Sequence, residues 1–490
     1  VSTEKEAAPA AAAAGTTSGL LDEIISASRL PLDEEGRNSM SQAFGHLLGA
    51  LNASKERKRV DLGAIDDLIA DIDRKMSAQV DAILHDETFQ AVESTWRGLK
   101  FLVDRTSFDA GNMVEILDVT KQELMDDFED APTKRQTKLC RTVFEHAYAT
   151  HGGVPYGVML GNYHFSPSTP DIALLTSISN VAADAHTPFI SSAGPQFFGM
   201  DSFEGLPDKA NIDTSKLKKW ESFRNSDNAN YVGLTLPRFM LRSPYDPVEN
   251  PIAGNIFDYR EDVSDSHEHY LWGNTAFAFG TRLTESFAKY RWCPNIIGPS
   301  SGGQVDNLPV HEFTHMGAVE TKPPTEVSVS EPRELELANE GFIPLTYRMG
   351  SDNAAFFSAN SVQKPKFFGN TPEGLAAQTN FRLGTQMPYL FMVTRLAHHI
   401  KIYQREKIGS SMSKADMQSE LNNWVRQYVS DQEAPSAEIK AKRPFRSIEL
   451  KVSEVPGEAG WYGVQMSLRP HLKYMGSYFD LSLVGSFQPS

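Results

Sequence analysis

Apolar and polar positions along the chain change period several times, and each period predicts an element. From Asp61 to about Thr106 the spacing is helical, first through VDLGAIDDLIADIDRKMSAQVDAIL and then through FQAVESTWRGLKFLVDRT. In the second stretch Phe89, Val92, Trp96, Leu99 and Val103 recur at steps of three and four, which places Trp96 on a core-facing stripe. Arg97 falls off that stripe. Gly98 weakens an isolated helix by roughly 1 kcal/mol, so it implies the close approach of another backbone, or else a helix kink or tight internal packing. MVEILDV, 113–119, predicts a strand. Thr120 with Glu123 predicts a capping box that opens a short helix. Strands are expected at YGVMLG, PFISS and YVGLTLP with helical stretches between them, an alternation that argues for a mixed α/β body.

Further on, SHEHYLWGNTAFAFGTRLTESFAKYRW reads as one long helix carrying Leu271, Phe279, Leu283 and Phe287 inward, and helices follow at 375–406 and 414–430. The end of the chain switches to period two. Ile448, Leu450 and Val452 alternate with Ser447, Glu449 and Lys451; Tyr462, Val464, Met466 and Leu468 form a second run; Phe479, Leu481 and Leu483 form a third. Turns are expected at PGEAG and near Pro470. This division yields a tail, helix and linker over 1–58, a central α/β domain over 59–385 and a C-terminal assembly domain over 386–490. Within the first, residues 1–19 are low-complexity. GLLDEIISASRL then places Leu20, Leu21, Ile24 and Ile25 on one arc of a short helix stopped by Pro31, with acidic residues in its first turn.

Composition narrows the function. The 490 residues carry a formal charge of −16, which disfavours nonspecific nucleic-acid binding. Two cysteines, Cys140 and Cys293, exclude a disulfide framework and a Cys-rich zinc site. The Ala-rich start lacks a basic region followed by a Leu-rich one, and no apolar run is long enough for a bilayer, so a cytoplasmic protein without membrane insertion is expected.

One stretch resembles catalytic machinery. HEFTH, 311–315, spells the H-E-x-x-H of a zinc metallopeptidase, with Glu334, Glu336 or Glu340 available as a third ligand. Pro309 and Gly317 leave room for barely two turns of helix, and among 13 histidines a chance occurrence is unsurprising, so no metal site is expected. His267 and His269 read as surface or capping residues, with Ser264 or Ser266 as N-cap. His398 and His399 point two ways from a helix. GPSSGGQ, 298–304, lacks the Lys-Ser/Thr of a P-loop and reads as an ordered turn. The basic residues Lys440, Lys442, Arg443 and Arg446 suit an acidic protein surface better than nucleic acid in so acidic a chain. No cofactor is expected.

Several long strings together resemble the large-subunit family of the type VI secretion contractile sheath (TssC, VipB or EvpB): VESTWRGLKFLVDRT, PSTPDIALL, PFISSAGPQFFG, SPYDPVENP, SHEHYLWGNTAFAF, TRLTESFAKYRWCPNIIGP, GSDNAAFFSANSVQKPK and RPHLKYMGSYFDLSLVG. The resemblance runs from Leu20 onward. It implies a structural subunit rather than an enzyme, with a sheath-subunit fold whose C-terminal β-rich domain is completed by partner strands. It implies pairing with a small sheath subunit, sixfold helical stacking of copies around an inner tube of hexameric rings, a baseplate, and recycling by a AAA+ unfoldase. By that resemblance Leu20, Leu21, Ile24 and Ile25 form the unfoldase-binding helix, and Phe479, Leu481 and Leu483 lie on an inter-subunit strand. A zinc metallopeptidase using HEFTH and a generic soluble binding module are the rival readings.

Overall fold

The computed structural model describes residues 62–251, 258–407, 413–432, 435–454, 462–471 and 481–485. By compactness the chain divides into residues 1–76 and residues 77–490. The first unit is described only over 62–76, the first part of helix α1 (Leu62–Leu84).

The second unit begins with the end of α1. Asp86 then caps α2 (Glu87–Asp104), its carboxylate accepting from the Thr88 and Phe89 amides. The expected strand at 113–119 is not formed. Residues 112–120 run as irregular chain, tied by side chains instead of a ladder: Tyr163 donates to the Val119 carbonyl (2.7 Å) and Asn112 to that of Thr284 (3.2 Å). Thr120 and Glu123 make the expected capping box at the start of α3 (Lys121–Asp130).

The three expected strands form: β1 (Met159–Phe165), β2 (Phe189–Ala193) and β3 (Val232–Leu236). They are parallel and joined through α4 (Thr169–Ala185) and α5 (Lys218–Arg224). A short antiparallel pair joins β4 (Phe239–Met240) to β5 (Trp272–Gly273). The long helix expected from Ser266 starts later. His267–His269 is one 3₁₀ turn capped by Ser266, and α6 spans Thr275–Tyr290 with Asn274 as N-cap. Leu271, Phe279 and Leu283 are buried as expected, and Phe287 is half-buried.

Next come β6 (Gln304–Val305), a hairpin of β7 (His311–His315) and β8 (Ala318–Lys322), helix α7 (Glu331–Asn339), β9 (Phe342–Tyr347) and β10 (Ala354–Phe356). The GPSSGGQ stretch is an ordered turn: Gly298 and Gly302 have positive φ, and a Cβ at Gly302 would lie 2.3 Å from the Asn295 carbonyl oxygen.

The main sheet has six strands in the order β1-β2-β3-β9-β10-β6. Its first four are parallel, and all five residues of β2 and of β3 are buried, as expected of a sheet covered on both faces. Alternation sorts the strand side chains. Phe189, Val232, Leu234 and Phe342 join Ile172, Leu175 and Ile178 of α4 in one core. Ile190 and Ile343 join Ala276, Phe279 and Leu283 of α6 in the other.

The C-terminal helices are α8 (Pro372–Gly384), α9 (Met387–Glu406), α10 (Lys414–Val425) and α11 (Ala437–Lys442). α9 links two cores: Met387, Leu390 and Phe391 sit in the second, while Tyr389, Met392, Leu396 and Ile400 sit in a third. That third core is closed by Leu421 and Val425 of α10 and by β11 (Phe445–Glu454) and β12 (Tyr462–Pro470), which form a three-stranded antiparallel sheet with β13 (Leu481–Gly485). Leu450, Val452, Val464, Met466 and Leu468 point inward, as their period-two pattern requires. Among the described residues no helix is long and apolar enough to cross a membrane.

Candidate assembly interface

HEFTH is a β-strand, not a short helix. Met316 and Gly317 both have positive φ, which closes a tight two-residue hairpin and pairs His311 with Lys322, Phe313 with Glu320 and His315 with Ala318. In a helix, positions i and i+4 stack one turn apart. Along a strand the same two residues stand roughly 13 Å apart at about 3.3 Å per residue, with Glu312 on the opposite face. A zincin ligand set does not form. His311 Nδ1 is instead bonded to the Tyr270 hydroxyl (2.9 Å). The proposed third ligands are engaged elsewhere: Glu336 with Arg333 (2.6 Å), Glu340 with Arg224 (2.9 Å), and Glu334 with the Ser358 hydroxyl.

Among the described residues, one group has potential metal ligands in reach of one another: His267, Glu268 and Glu326. Its centre is taken by Arg238. The guanidinium binds Glu326 through Nε (2.9 Å) and Nη2 (2.8 Å), and Nη2 also reaches Glu268 (2.7 Å). Lys322 Nζ lies 2.9 Å from His267 Nδ1. Burial alone would raise the Glu326 pKa, but hydrogen bonds from Arg238 and His267 overcome it and hold the carboxyl at about 2. A divalent ion would have to expel Arg238 from its two carboxylates, so this donor set suits an ion-pair cluster rather than a metal centre. Ser266 caps the turn bearing His267 and His269, and His398 is a buried residue bonding the Ala185 carbonyl (2.8 Å).

A second buried cluster ties α1 and α2 to the segment after β4. Arg242 meets Glu261 with Nη1 at 2.5 Å and Nη2 at 3.1 Å, and its Nε reaches Glu93 of α2 (3.0 Å). Glu261 also accepts from the Tyr245 amide (2.9 Å), and the Tyr259 hydroxyl donates to Asp81 of α1 (2.5 Å). These clusters build the fold and present no substrate-sized constellation of acid, base and nucleophile.

The surface is more telling. On α2 the stripe that the sequence assigns to the core faces outward: Phe89 is 42%, Val92 54% and Trp96 66% exposed. The buried face is the opposite one, with Gly98 and Leu102 against α6. The correction has a physical cause. Gly98 admits the Phe277 ring, and the contact of two helices, not the apolar stripe, sets the rotation of α2. The three–four spacing gave no warning, because the same spacing serves a helix facing its own core and a helix that pairs with another.

At the C-terminus, β13 pairs with β12 of the same chain, Leu481 opposite Leu468 and Leu483 opposite Met466. β11 and β13 are the outer strands of this sheet. Phe479 and the residues Leu20, Leu21, Ile24 and Ile25, expected to form a helix, lie outside the described residues. Lys440, Lys442, Arg443 and Arg446 are exposed on α11 and the start of β11, with Lys442 paired to Glu438 (2.7 Å).

Residues 66–363 match the family model of the EvpB/VC_A0108 tail sheath N-terminal domain, and residues 376–487 that of the tail sheath gpW/gp25-like domain. The chain belongs to the type VI tail sheath family. It is 39% identical over 463 residues to the type VI secretion system sheath protein TssC1 of Pseudomonas aeruginosa, an alignment covering 93% of this chain and 92% of that protein. Membership of the sheath family agrees with a mixed α/β body and with apolar surface on α2, and nothing in it favours the metallopeptidase reading.

Proposed function

We propose that this sheath protein is the large structural subunit of a contractile machine. It pairs with a small sheath subunit and polymerises with further copies into a sixfold helical tube around an inner tube of hexameric rings. The tube stands on a baseplate in the cytoplasm, contracts to drive the inner tube outward, and is dismantled by a hexameric AAA+ unfoldase. The observation that carries the reading is the near end-to-end match to a type VI sheath protein, spanning both sheath domains.

Local features support the parts. On the outer side of β11 the Leu450 and Val452 backbone is already bonded by Asn422 and Gln418 of α10, whereas β13 is the other outer strand of the sheet, and an open strand edge recruits strands because its backbone groups need partners. Inter-subunit strands around residues 474–486 would keep neighbours connected while they slide. Lys440, Lys442, Arg443 and Arg446 suit an acidic surface of the next subunit or of the inner tube, in a contact that weakens with salt. The stripe of Leu20, Leu21, Ile24 and Ile25 is too small for a core of its own and suits a hydrophobic groove of the unfoldase.

The deciding experiment is negative-stain microscopy after co-expression with neighbouring gene products. Hollow striated tubes containing this chain are expected. Soluble, unassembled chain in every combination, or proteolysis that depends on bound zinc, overturns the reading.

A further inference from the structure

We infer that α10 is an edge plug: Gln418 and Asn422 close the outer side of β11, so that the C-terminal sheet takes on a further strand only beyond β13. Asn422 bonds as a neighbouring strand residue would. Its Nδ2 donates to the Leu450 carbonyl (3.0 Å) and its Oδ1 accepts from the Leu450 amide (3.0 Å), which satisfies both outward backbone groups of that residue. Gln418 Oε1 accepts from the Val452 amide (3.3 Å). At the start of the strand, Ser430 donates its amide to the Phe445 carbonyl (3.0 Å), and Val429 bridges Phe445 in parallel.

Three observations make this a plug rather than an isolated contact. The first is spacing. Four residues of helix rise about 6 Å and two residues of strand about 6.8 Å, so Gln418 and Asn422 meet Val452 and Leu450 in step. As the chain advances through Gln418, Asn422 and Ser430, its partners run back through Val452, Leu450 and Phe445, so the cover follows the strand from one end towards the other. The second is anchoring. Leu421 and Val425 of the same helix are buried in the third core, and Asn422 Nδ2 also donates to the Gln418 carbonyl (2.9 Å), which holds the capping amide in place. The third is asymmetry. Among the described residues β13 is paired on one side alone, by β12. A strand edge recruits another strand through unpaired backbone groups, and side chains that bond those groups remove the attraction. Strand addition itself rests on the sheath reading above; the plug decides on which side of the sheet it takes place. With both edges open a sheet adds strands on either side, whereas one open edge gives each subunit a single strand-accepting face.

The test reads amide hydrogen exchange, residue by residue, on the full-length chain. In the parent the Leu450 and Val452 amides are expected to exchange slowly before any assembly and at the same rate in tubes. N422A is expected to speed exchange at Leu450 at least tenfold and to leave Lys451 unchanged, because the Lys451 amide faces β12; a general loosening of the fold would move both. N422A/Q418A opens the edge, and its weight-average mass in sedimentation is expected to at least double at a concentration where the parent's does not change. Protection of Leu450 and Val452 that appears only in tubes, equal acceleration of Leu450 and Lys451 in N422A, or a parental mass for N422A/Q418A overturns the inference. The N422A exchange and the sedimentation readings need no tubes, so failure of the plug is distinguished from failure of the sheath reading.

Discussion

The ring of Phe277 occupies the space where a side chain on Gly98 would begin: a Cβ built at Gly98 would lie 2.6 Å from Phe277 Cδ2. This contact locks α2 onto α6 and turns Trp96 to the surface. G98A adds a better helix former, worth about 1 kcal/mol, yet inserts a methyl group into a packed ring, which costs about 1–3 kcal/mol. A net loss in denaturant midpoint is expected, with partial recovery in G98A/F277L. A stabilised G98A would show that the helix contact is looser than described.

Arg242 and Glu261 form a bidentate pair whose side chains are 6% and 1% exposed. Removing one partner leaves a buried charge uncompensated, a loss of about 3–5 kcal/mol. R242M should therefore unfold at markedly lower denaturant than the parent, while R242M/E261Q recovers part of the loss. Equal stability of R242M and parent would contradict the buried pair.

His398 is buried against the Ala185 carbonyl, and burial drives its pKa down to about 4; burial also lowers that of His186 nearby. Above about pH 6.5 the ring is neutral both folded and unfolded, so no stability is lost there. Below it the unfolded chain takes up a proton that the folded chain refuses until about pH 4, so stability falls as pH drops across that window, by roughly 3 kcal/mol for His398 if unrelieved. Thermal midpoints measured from pH 7 to pH 4 should fall less steeply for H398Q, which keeps the donor to Ala185. Parallel curves for H398Q and parent would reject this account.

HEFTH on a hairpin predicts no stoichiometric zinc. Elemental analysis of purified protein should give the same metal content for the parent and for H311A/H315A. Bound zinc that disappears in the double variant would mean that the hairpin rearranges around a metal.

Deleting residues 474–490 removes β13 and everything after it, and should leave soluble chain that forms no tubes under co-expression. Normal tubes from the truncated chain would show that these residues do not join subunits. L21D/I24D should assemble and contract normally yet accumulate as contracted sheaths; dismantling at the parental rate would release that helix from its recycling role.

Local chemistry was readable residue by residue. Thr120 and Glu123 specify a capping box because both partners lie within one turn. The period-two runs ending the chain specify β11 and β12 because alternation alone sorts Leu450 and Met466 from Lys451 and Gln465. β1, β2 and β3 followed from short apolar runs, and the long sheath-like strings carried the family across almost the whole chain. The failures lie where a residue's fate depends on what approaches from far along the sequence. MVEILDV has a strand's composition, but a strand needs a neighbouring ladder, and here the segment is held by the Tyr163 hydroxyl on the Val119 carbonyl and by the Asn112 side chain on that of Thr284. HEFTH spells a helix motif, yet the Met316–Gly317 turn and the register with β8 make it a hairpin. The apolar stripe of α2 is equally consistent with core and with interface, since hydrophobicity records that a face must be covered and not by what. Phe277, 179 positions beyond Gly98, settles which face of α2 turns inward, and thereby leaves Trp96 at the surface.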